Sequence, residues 1–324
     1  MKERMKIALV DRCTVSTGDM DFSAIEALGD VSFYDLLTPE QLVAAARDAD
    51  VLLVNKAEVT RGLIAECRRL KYVGTFSTGY NNIDLAALSE RGIVCCNVPG
   101  YSTGAVCQHT FALLLMFLGK TDKYAASVAA GDWKLSKSFC YMPWAMSEVQ
   151  GKTFGVYGYG GIGRAVAKVA EAFGMRVIVH TRSVPEDCPY ELVEKSEIFQ
   201  RSDFLSFHCP LTPQTAGIIN ADTLALMKRD AVIINTARGG LADESALAAA
   251  LNGGRIGGAC LDTLAREPMS ADNPLYGARN CIITPHIAWA PSETRGRLVR
   301  IVAENLAAFI AGRPQNVVNA RAGV

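Results

Sequence analysis

The sequence predicts an α/β protein with parallel sheets, divided into two domains. Two observations carry this. Short apolar, β-branched runs alternate with helical patterns along most of the chain, which argues for parallel strands covered on both faces. The alternation breaks once, after residue 101, and resumes near residue 152, so two domains suit the 324 residues better than one core.

In the first hundred residues the strand candidates are KIALV, VSFYD, DVLLVN, YVGTFS and GIVCCNV. Between the second and third lies TPEQLVAAARDAD, where Thr38 and Gln41 have capping-box spacing and Pro39 suits a first helical turn. Ser102 to Lys120 reads as a long apolar helix. Thr121 to Gln150 shows no clear period and holds Trp133, Phe139, Tyr141 and Trp144. It reads equally as an arm packing on another subunit or as a surface loop with an aromatic cluster. The second series has strands TFGVYG, RVIVH, DFLSFH, AVIINTA, GGACLD and CIITP. After Ser292 comes one amphipathic helix, ETRGRLVRIVAENLAAFIAG.

Composition narrows the function. Lys+Arg and Asp+Glu both number 33, and no basic run forms a tail, so no nucleic-acid partner is expected. The longest apolar run, Phe111 to Leu118, is too short to span a bilayer, and the N-terminus lacks the apolar core of a signal peptide. A cytoplasmic protein without a membrane partner is the expectation. The ten cysteines form no CxxC and mostly lie inside apolar runs such as GIVCCNV and LSFHCP. That suits buried thiols in a reducing compartment, with no metal site.

The strongest motif is GVYGYGGIGRAVAKVAEAFGMRVIVHTR. Gly158, Gly160 and Gly163 fit GxGxxG between a strand and a helix. In that context the first glycine serves a tight turn, the second admits a pyrophosphate and the third lets helix and sheet pack closely. The N–H groups of Gly161 and Ile162 at the helix start would hold the pyrophosphate. The second strand ends in Thr181 and Arg182, where NAD sites of this type carry an acid for the ribose hydroxyls. The cofactor is therefore NAD(H) or NADP(H), and the missing carboxylate leans toward NADP(H).

Further strand ends carry charge. AVIINTARGG leads to Arg238, GGACLDTLAREP to Asp262 and Glu267, and CIITPHIAWAP to His286. Ligands of open α/β sheets bind outside the C-terminal ends of the strands. A lone histidine after a strand is more often structural; complementary charges at neighbouring strand ends weigh against that here.

With STGYNNIDL, VCCNVPGYSTGAVCQHTFALLL, GKTFGVYGYGGIG, SFHCPLTPQT, INTARGG, LDTLAREP and ITPHIAW in order, nearly the whole chain resembles the D-isomer-specific 2-hydroxyacid dehydrogenases. NKAEVT, PGYSTGAVCQHTFALLL and FCYMPWAMSEVQGKT look most like their glycerate dehydrogenase (hydroxypyruvate reductase) branch. The resemblance implies a catalytic set of Arg238, Glu267 and His286. Arg238 would hold the substrate carboxylate and keto oxygen in a planar fork. Protonated His286 would give a proton to the carbonyl oxygen, the charged imidazole being favoured by a neighbouring carboxylate, Glu267. Asp262 would hold the nicotinamide carboxamide. Cys209, Pro210 and Thr215 of SFHCPLTPQT, with Thr236 and Ala237 of INTARGG, would contact the coenzyme. The backbone N–H groups of Thr78 and Gly79 would bind the substrate carboxylate. Lys56 reads equally as a pocket lysine or a solvated one. His109 reads as a packing residue, and only His286 is expected to combine a nearby acid with a strand-end position.

Two departures from the family pattern stand out. Thr181-Arg182 replaces the acid, and Ala288-Trp289 replaces smaller residues, so Trp289 is expected to restrict the substrate to a short side chain. The expected architecture is two Rossmann- or flavodoxin-like domains with a cleft between them. Residues 1–100 with 291–324 would form a discontinuous substrate domain and 101–290 the dinucleotide domain. The 101–150 helix and arm would make a homodimer contact. The expected activity is reduction of a small 2-keto acid, hydroxypyruvate or glyoxylate. The rivals are a 3-phosphoglycerate dehydrogenase, for which no regulatory extension follows the last helix, and a non-catalytic dinucleotide-sensing corepressor. An intact Arg–Glu–His set disfavours the second.

Overall fold

The computed structural model describes residues 4–183 and 186–319. The extreme ends, which the expected substrate domain includes, lie outside the described residues. The chain divides into two compact units, Met1–Tyr101 with Ala290–Val324, and Ser102–Trp289.

The first unit runs β1 (Met5–Leu9), α1 (Arg12–Val15), α2 (Ser23–Glu26), β2 (Gly29–Phe33), α3 (Pro39–Ala46), β3 (Val51–Val54), α4 (Arg61–Glu66), β4 (Tyr72–Thr75), α5 (Leu85–Glu90) and β5 (Val94–Cys96). All its strand pairs are parallel, in the order β2-β1-β3-β4-β5. That is the flavodoxin-like order, which reverses direction between β1 and β3. β3 and β4 are buried along their whole length, as central parallel strands must be when helices cover both faces. The Thr38–Gln41 capping box starts α3 as the spacing predicts.

The second unit runs α6 (Thr103–Gly119), α7 (Thr121–Ala130), β6 (Thr153–Tyr157), α8 (Gly161–Ala172), β7 (Arg176–His180), β8 (Glu191–Leu192), α9 (Lys195–Arg201), β9 (Phe204–Phe207), α10 (Ala221–Leu226), β10 (Val232–Asn235), α11 (Glu244–Asn252), β11 (Gly258–Leu261) and β12 (Cys281–Ile283). Its sheet order is β12-β11-β10-β9-β6-β7-β8, parallel throughout. The strand order turns between β6 and β9, so the glycine loop after β6 opens at the switch point. Two hydrophobic clusters fill its core, one around Phe199, Phe207 and Leu247, the other around Phe111, Phe154 and Val166. The chain then returns to the first unit with α12 (Ser292–Ile310), which buries Leu298, Val299, Val302 and Leu306. Its Phe309 ring lies 4.8 Å from that of Tyr72.

Two sequence expectations need correction. The stretch from Thr121 is not irregular throughout, because α7 occupies its first ten residues. Its alanines favour helix, but only Ser127 is buried, so no apolar stripe marks the period. The two-residue edge strand β8 was not expected; both of its residues are exposed.

Candidate active site

The glycine loop is built by steric exclusion. Gly158 has φ +98°, and a Cβ there would lie 2.8 Å from the backbone of His208 and Cys209. At Gly163 a Cβ would sit 2.1 Å from the Gly158 oxygen. At Gly160 it would meet nothing within 4 Å. The first and third glycines thus close the turn, and the second leaves space above the start of α8. The N–H groups of Gly161 and Ile162 have no acceptor among the described residues, an orphan pair suited to an anion. The loop therefore fits a dinucleotide pyrophosphate. At the end of β7, Thr181 is half-buried and Arg182 exposed. Arg164, one residue past the loop, pairs with both oxygens of Asp187 at 2.8 Å and lies over the Tyr159 ring.

Beside the loop, the turn after β9 is held by its own threonines. Thr215 Oγ1 donates to the Pro210 carbonyl at 2.7 Å and accepts from the Thr212 N–H at 2.8 Å. The Thr215 hydroxyl is thus engaged in shaping the turn. Burial pushes the Cys209 thiol up to about 11, so it remains a neutral wall residue. Thr236 is buried with its hydroxyl 3.2 Å from that of Thr110, and Ala237 is half-buried.

Three neighbouring strand ends supply charge. After β10, Arg238 is half-buried; its Nη1 donates to the Ala237 carbonyl at 2.7 Å, and its own carbonyl accepts from Asn235 Nδ2 at 2.9 Å. After β11, Glu267 accepts the Leu264 N–H on Oε1 at 3.0 Å and lies 2.7 Å from His286 Nδ1 through Oε2. The carboxylate is thereby fixed at both ends. After β12, His286 has φ +56°. A left-handed conformation at a non-glycine residue costs about 1–2 kcal/mol and persists where the surroundings over-determine it. His286 N–H bonds the Thr284 carbonyl at 3.0 Å, and the N–H groups of Ile287 and Ala288 bond the two oxygens of Asp262 at 2.9 Å each. Nε2 of His286 has no partner among the described residues.

Asp262 is 1% exposed. Burial alone would push its carboxyl up, but the bonds from His109, Thr284, Ala288 and Ile287 together hold it below the usual carboxylate range. Its observed work is to clamp the turn that follows His286. His109 also corrects the sequence reading. It is not merely a packing residue and His286 is not alone in having an acid: His109 Nε2 lies 2.9 Å from Thr284 Oγ1 and 3.4 Å from Asp262 Oδ1.

In the first unit, Thr78 is exposed and Gly79 half-buried, and neither backbone N–H has an acceptor among the described residues. Thr78 is braced by its hydroxyl on the Val98 carbonyl at 2.8 Å. Lys56 is exposed, on a loop organised by a residue the sequence reading missed. One oxygen of Asp11 accepts the N–H groups of Asn55, Lys56 and Ala57 at 3.2, 2.8 and 2.6 Å. Asp11 lies two residues past the end of β1, so its strand-end position was the available signal.

Comparison with known proteins agrees with this geometry. The family model of the D-isomer specific 2-hydroxyacid dehydrogenase NAD binding domain matches residues 111–288. The chain is 40% identical to a hydroxypyruvate reductase of Blautia hydrogenotrophica, over 97% of this chain and all of that one. It is 40% identical to a glycerate dehydrogenase of Methylorubrum extorquens, over 87% of this chain and 90% of the other. Among solved structures, an acyclic imino acid reductase (Bsp5) in complex with NADPH and D-Arg superposes with a TM-score of 0.86 at 35% identity, covering 97% of this chain and all of that one. The chain belongs to the D-isomer-specific 2-hydroxyacid dehydrogenase family, in its glycerate dehydrogenase and hydroxypyruvate reductase branch, and is a nicotinamide dinucleotide-dependent oxidoreductase.

Proposed function

We propose that the protein reduces a short 2-keto acid, hydroxypyruvate or glyoxylate, with His286 as the proton donor. The observation that carries this reading is the division of labour on the His286 ring. Nδ1 is tied to Glu267 at 2.7 Å, while Nε2 is left without a partner among the described residues. The bond to the carboxylate fixes the ring, so Nε2–H is the proton to be given.

When bound, the reduced nicotinamide supplies the hydride to the carbonyl carbon. As negative charge develops on the carbonyl oxygen, His286 Nε2–H transfers its proton there and becomes neutral, retaining Nδ1–H toward Glu267. The Arg238 guanidinium binds the carboxylate and polarises the keto oxygen. We assign the Thr78 and Gly79 N–H groups and the Lys56 ammonium to the substrate carboxylate, the cofactor loop to Gly158–Gly163, and the adjoining coenzyme contacts to Thr236, Ala237 and Asp262. Half-buried Trp289, three residues past His286, limits side-chain length. With no carboxylate at Thr181-Arg182, the preferred coenzyme is NADP(H).

Trp133, Leu135, Phe139, Met142 and Met146 are all at least half-exposed, Phe139 at 89%. So large an apolar surface fits a second copy of this chain, and light scattering should give the mass of a homodimer. The functional test is steady-state oxidation of NADH and NADPH with hydroxypyruvate, glyoxylate, pyruvate and 3-phosphohydroxypyruvate. Fast turnover of the first two with NADPH supports the reading. Turnover of 3-phosphohydroxypyruvate alone, or of none, overturns it.

A further inference from the structure

His109 is the second histidine of this unit to face an acid, and its bonds lead to the turn that carries His286. The Thr284 hydroxyl has one proton, and its shortest contact to a carboxylate is 2.6 Å, to Asp262 Oδ1. With that proton donated, Thr284 Oγ1 can only accept at the 2.9 Å contact with His109 Nε2. His109 therefore donates from Nε2, and a directed chain runs His109 to Thr284 to Asp262. The same carboxylate accepts the N–H groups of Ile287 and Ala288, the two peptides after His286. Thr284 also contributes the carbonyl that receives the His286 N–H at 3.0 Å. Every bond just named ends on residues 284–288. Asp262 is 1% exposed, and His109 is the sole basic side chain within 4 Å of its carboxylate among the described residues.

We propose that His109 is a positioning residue: through Thr284 and Asp262 it fixes the turn at 284–288, holds His286 in its left-handed conformation and so aims its Nε2. The inference rests on the reading of His286 as proton donor. It requires a donor at the position of Nε2, not an imidazole as such. Glutamine places an amide N–H near that position, whereas phenylalanine fills the space without a donor.

The experiment compares H109F, H109Q and T284V with the wild type, by steady-state kinetics on hydroxypyruvate and by 15N NMR of histidine-labelled protein. In H109F and T284V, kcat should fall at least ~10-fold with KM for hydroxypyruvate changed by less than ~3-fold, as expected when a catalytic group is misaimed but substrate binding is kept. H109Q should recover kcat to within ~3-fold of the wild type. The His286 ring signals should move in H109F and T284V and return in H109Q. A residue that only packs would lower the melting temperature without this pattern. Unchanged kcat and unchanged His286 signals in H109F, or an H109Q as impaired as H109F, would overturn the proposal. If H109F fails to fold, T284V and H109Q decide. If the wild type turns over no 2-keto acid, the functional reading fails, while the His286 signals still decide whether His109 sets the turn.

Discussion

Gly239 offers a direct test of how Arg238, the arginine proposed to bind substrate, is placed. It follows Arg238 and is buried. A Cβ at this position would lie 1.8 Å from the carbonyl carbon of Leu264, 2.0 Å from its oxygen and 2.3 Å from the nitrogen of Ala265. These are backbone atoms, so no side-chain rotation relieves the overlap. Carbon atoms pack at about 3.5–4.0 Å, so Gly239→Ala must drive the two segments apart by at least ~1.5 Å. One segment carries Arg238. The other is tied to Glu267, whose Oε1 accepts the Leu264 N–H. A displacement of about 1 Å in a catalytic group can cost ~100-fold in rate, and overpacking typically destabilises by about 1–3 kcal/mol. G239A should therefore lose ~100-fold or more in kcat/KM for hydroxypyruvate, alongside a lower melting temperature. Gly240→Ala is the control: there the overlap, 2.9 Å, is with a methyl of Leu211, which can turn away. Its kcat/KM should stay within ~3-fold of wild type, since binding and chemistry are both left in place. G239A with wild-type kcat/KM would refute the claim that this backbone contact sets the placement of Arg238 against the Glu267–His286 pair.

Two further predictions follow from the histidines. His286→Asn should fold with near-wild-type stability, because Asn is among the non-glycine residues that best tolerate positive φ; it should lose ~10²–10⁴-fold in kcat for want of a proton donor. Undiminished turnover would reassign that role. Burial pushes His208 down to about 3, so it stays neutral in the fold while the unfolded chain takes up a proton below ~6.5. Its contribution is complete above that pH and is lost as pH falls, at about 1.4 kcal/mol per unit, or roughly 2 kcal/mol by pH 5. Denaturant titrations of wild type and His208→Gln at pH 7 and pH 5 check this: the wild type should lose more stability than the variant, and parallel losses would rule the effect out.

What was legible in the sequence follows from how far each signal reaches along the chain. Buried parallel strands such as VLLV and VIIN announce themselves as short β-branched runs, and the glycine loop lies within one strand–turn–helix unit. Arg238, Glu267 and His286 stood out because each follows a strand, and parallel strands put those ends on one edge. Helix α7 did not, because a solvated alanine-rich helix has no apolar stripe. His109 and Asp11 were opaque for another reason. Their partners, Asp262 and the 55–57 peptides, are distant in sequence, and in the case of Asp11 are backbone groups that carry no residue signature. Thr215 shows a second layer the motif did not reveal: its hydroxyl also holds the turn that carries it.

The four histidines show what separates the proposed proton donor from the other imidazoles in this fold. His180 has Nδ1 2.9 Å from the Val193 carbonyl, a neutral acceptor, and its ring rests against Tyr157. His208 engages the Ser206 hydroxyl at 2.8 Å through Nε2 in surroundings that disfavour charge. His109 has an acid near it, yet its Nε2 is committed to Thr284, so no proton on that nitrogen can be passed on without breaking the chain to Asp262. His286 alone among the described residues brings one ring nitrogen as close as 2.7 Å to a carboxylate oxygen and leaves the other nitrogen unengaged, whereas the His109–Asp262 contact is 3.4 Å on the nitrogen that already serves Thr284. Proximity to an acid is therefore not the criterion, since His109 meets it. The criterion is a short carboxylate bond that orients one nitrogen, together with an open second nitrogen as the exit for the proton. The left-handed backbone at His286 fits that requirement: a conformation with an intrinsic cost is retained where it places the ring against Glu267 with Nε2 left open.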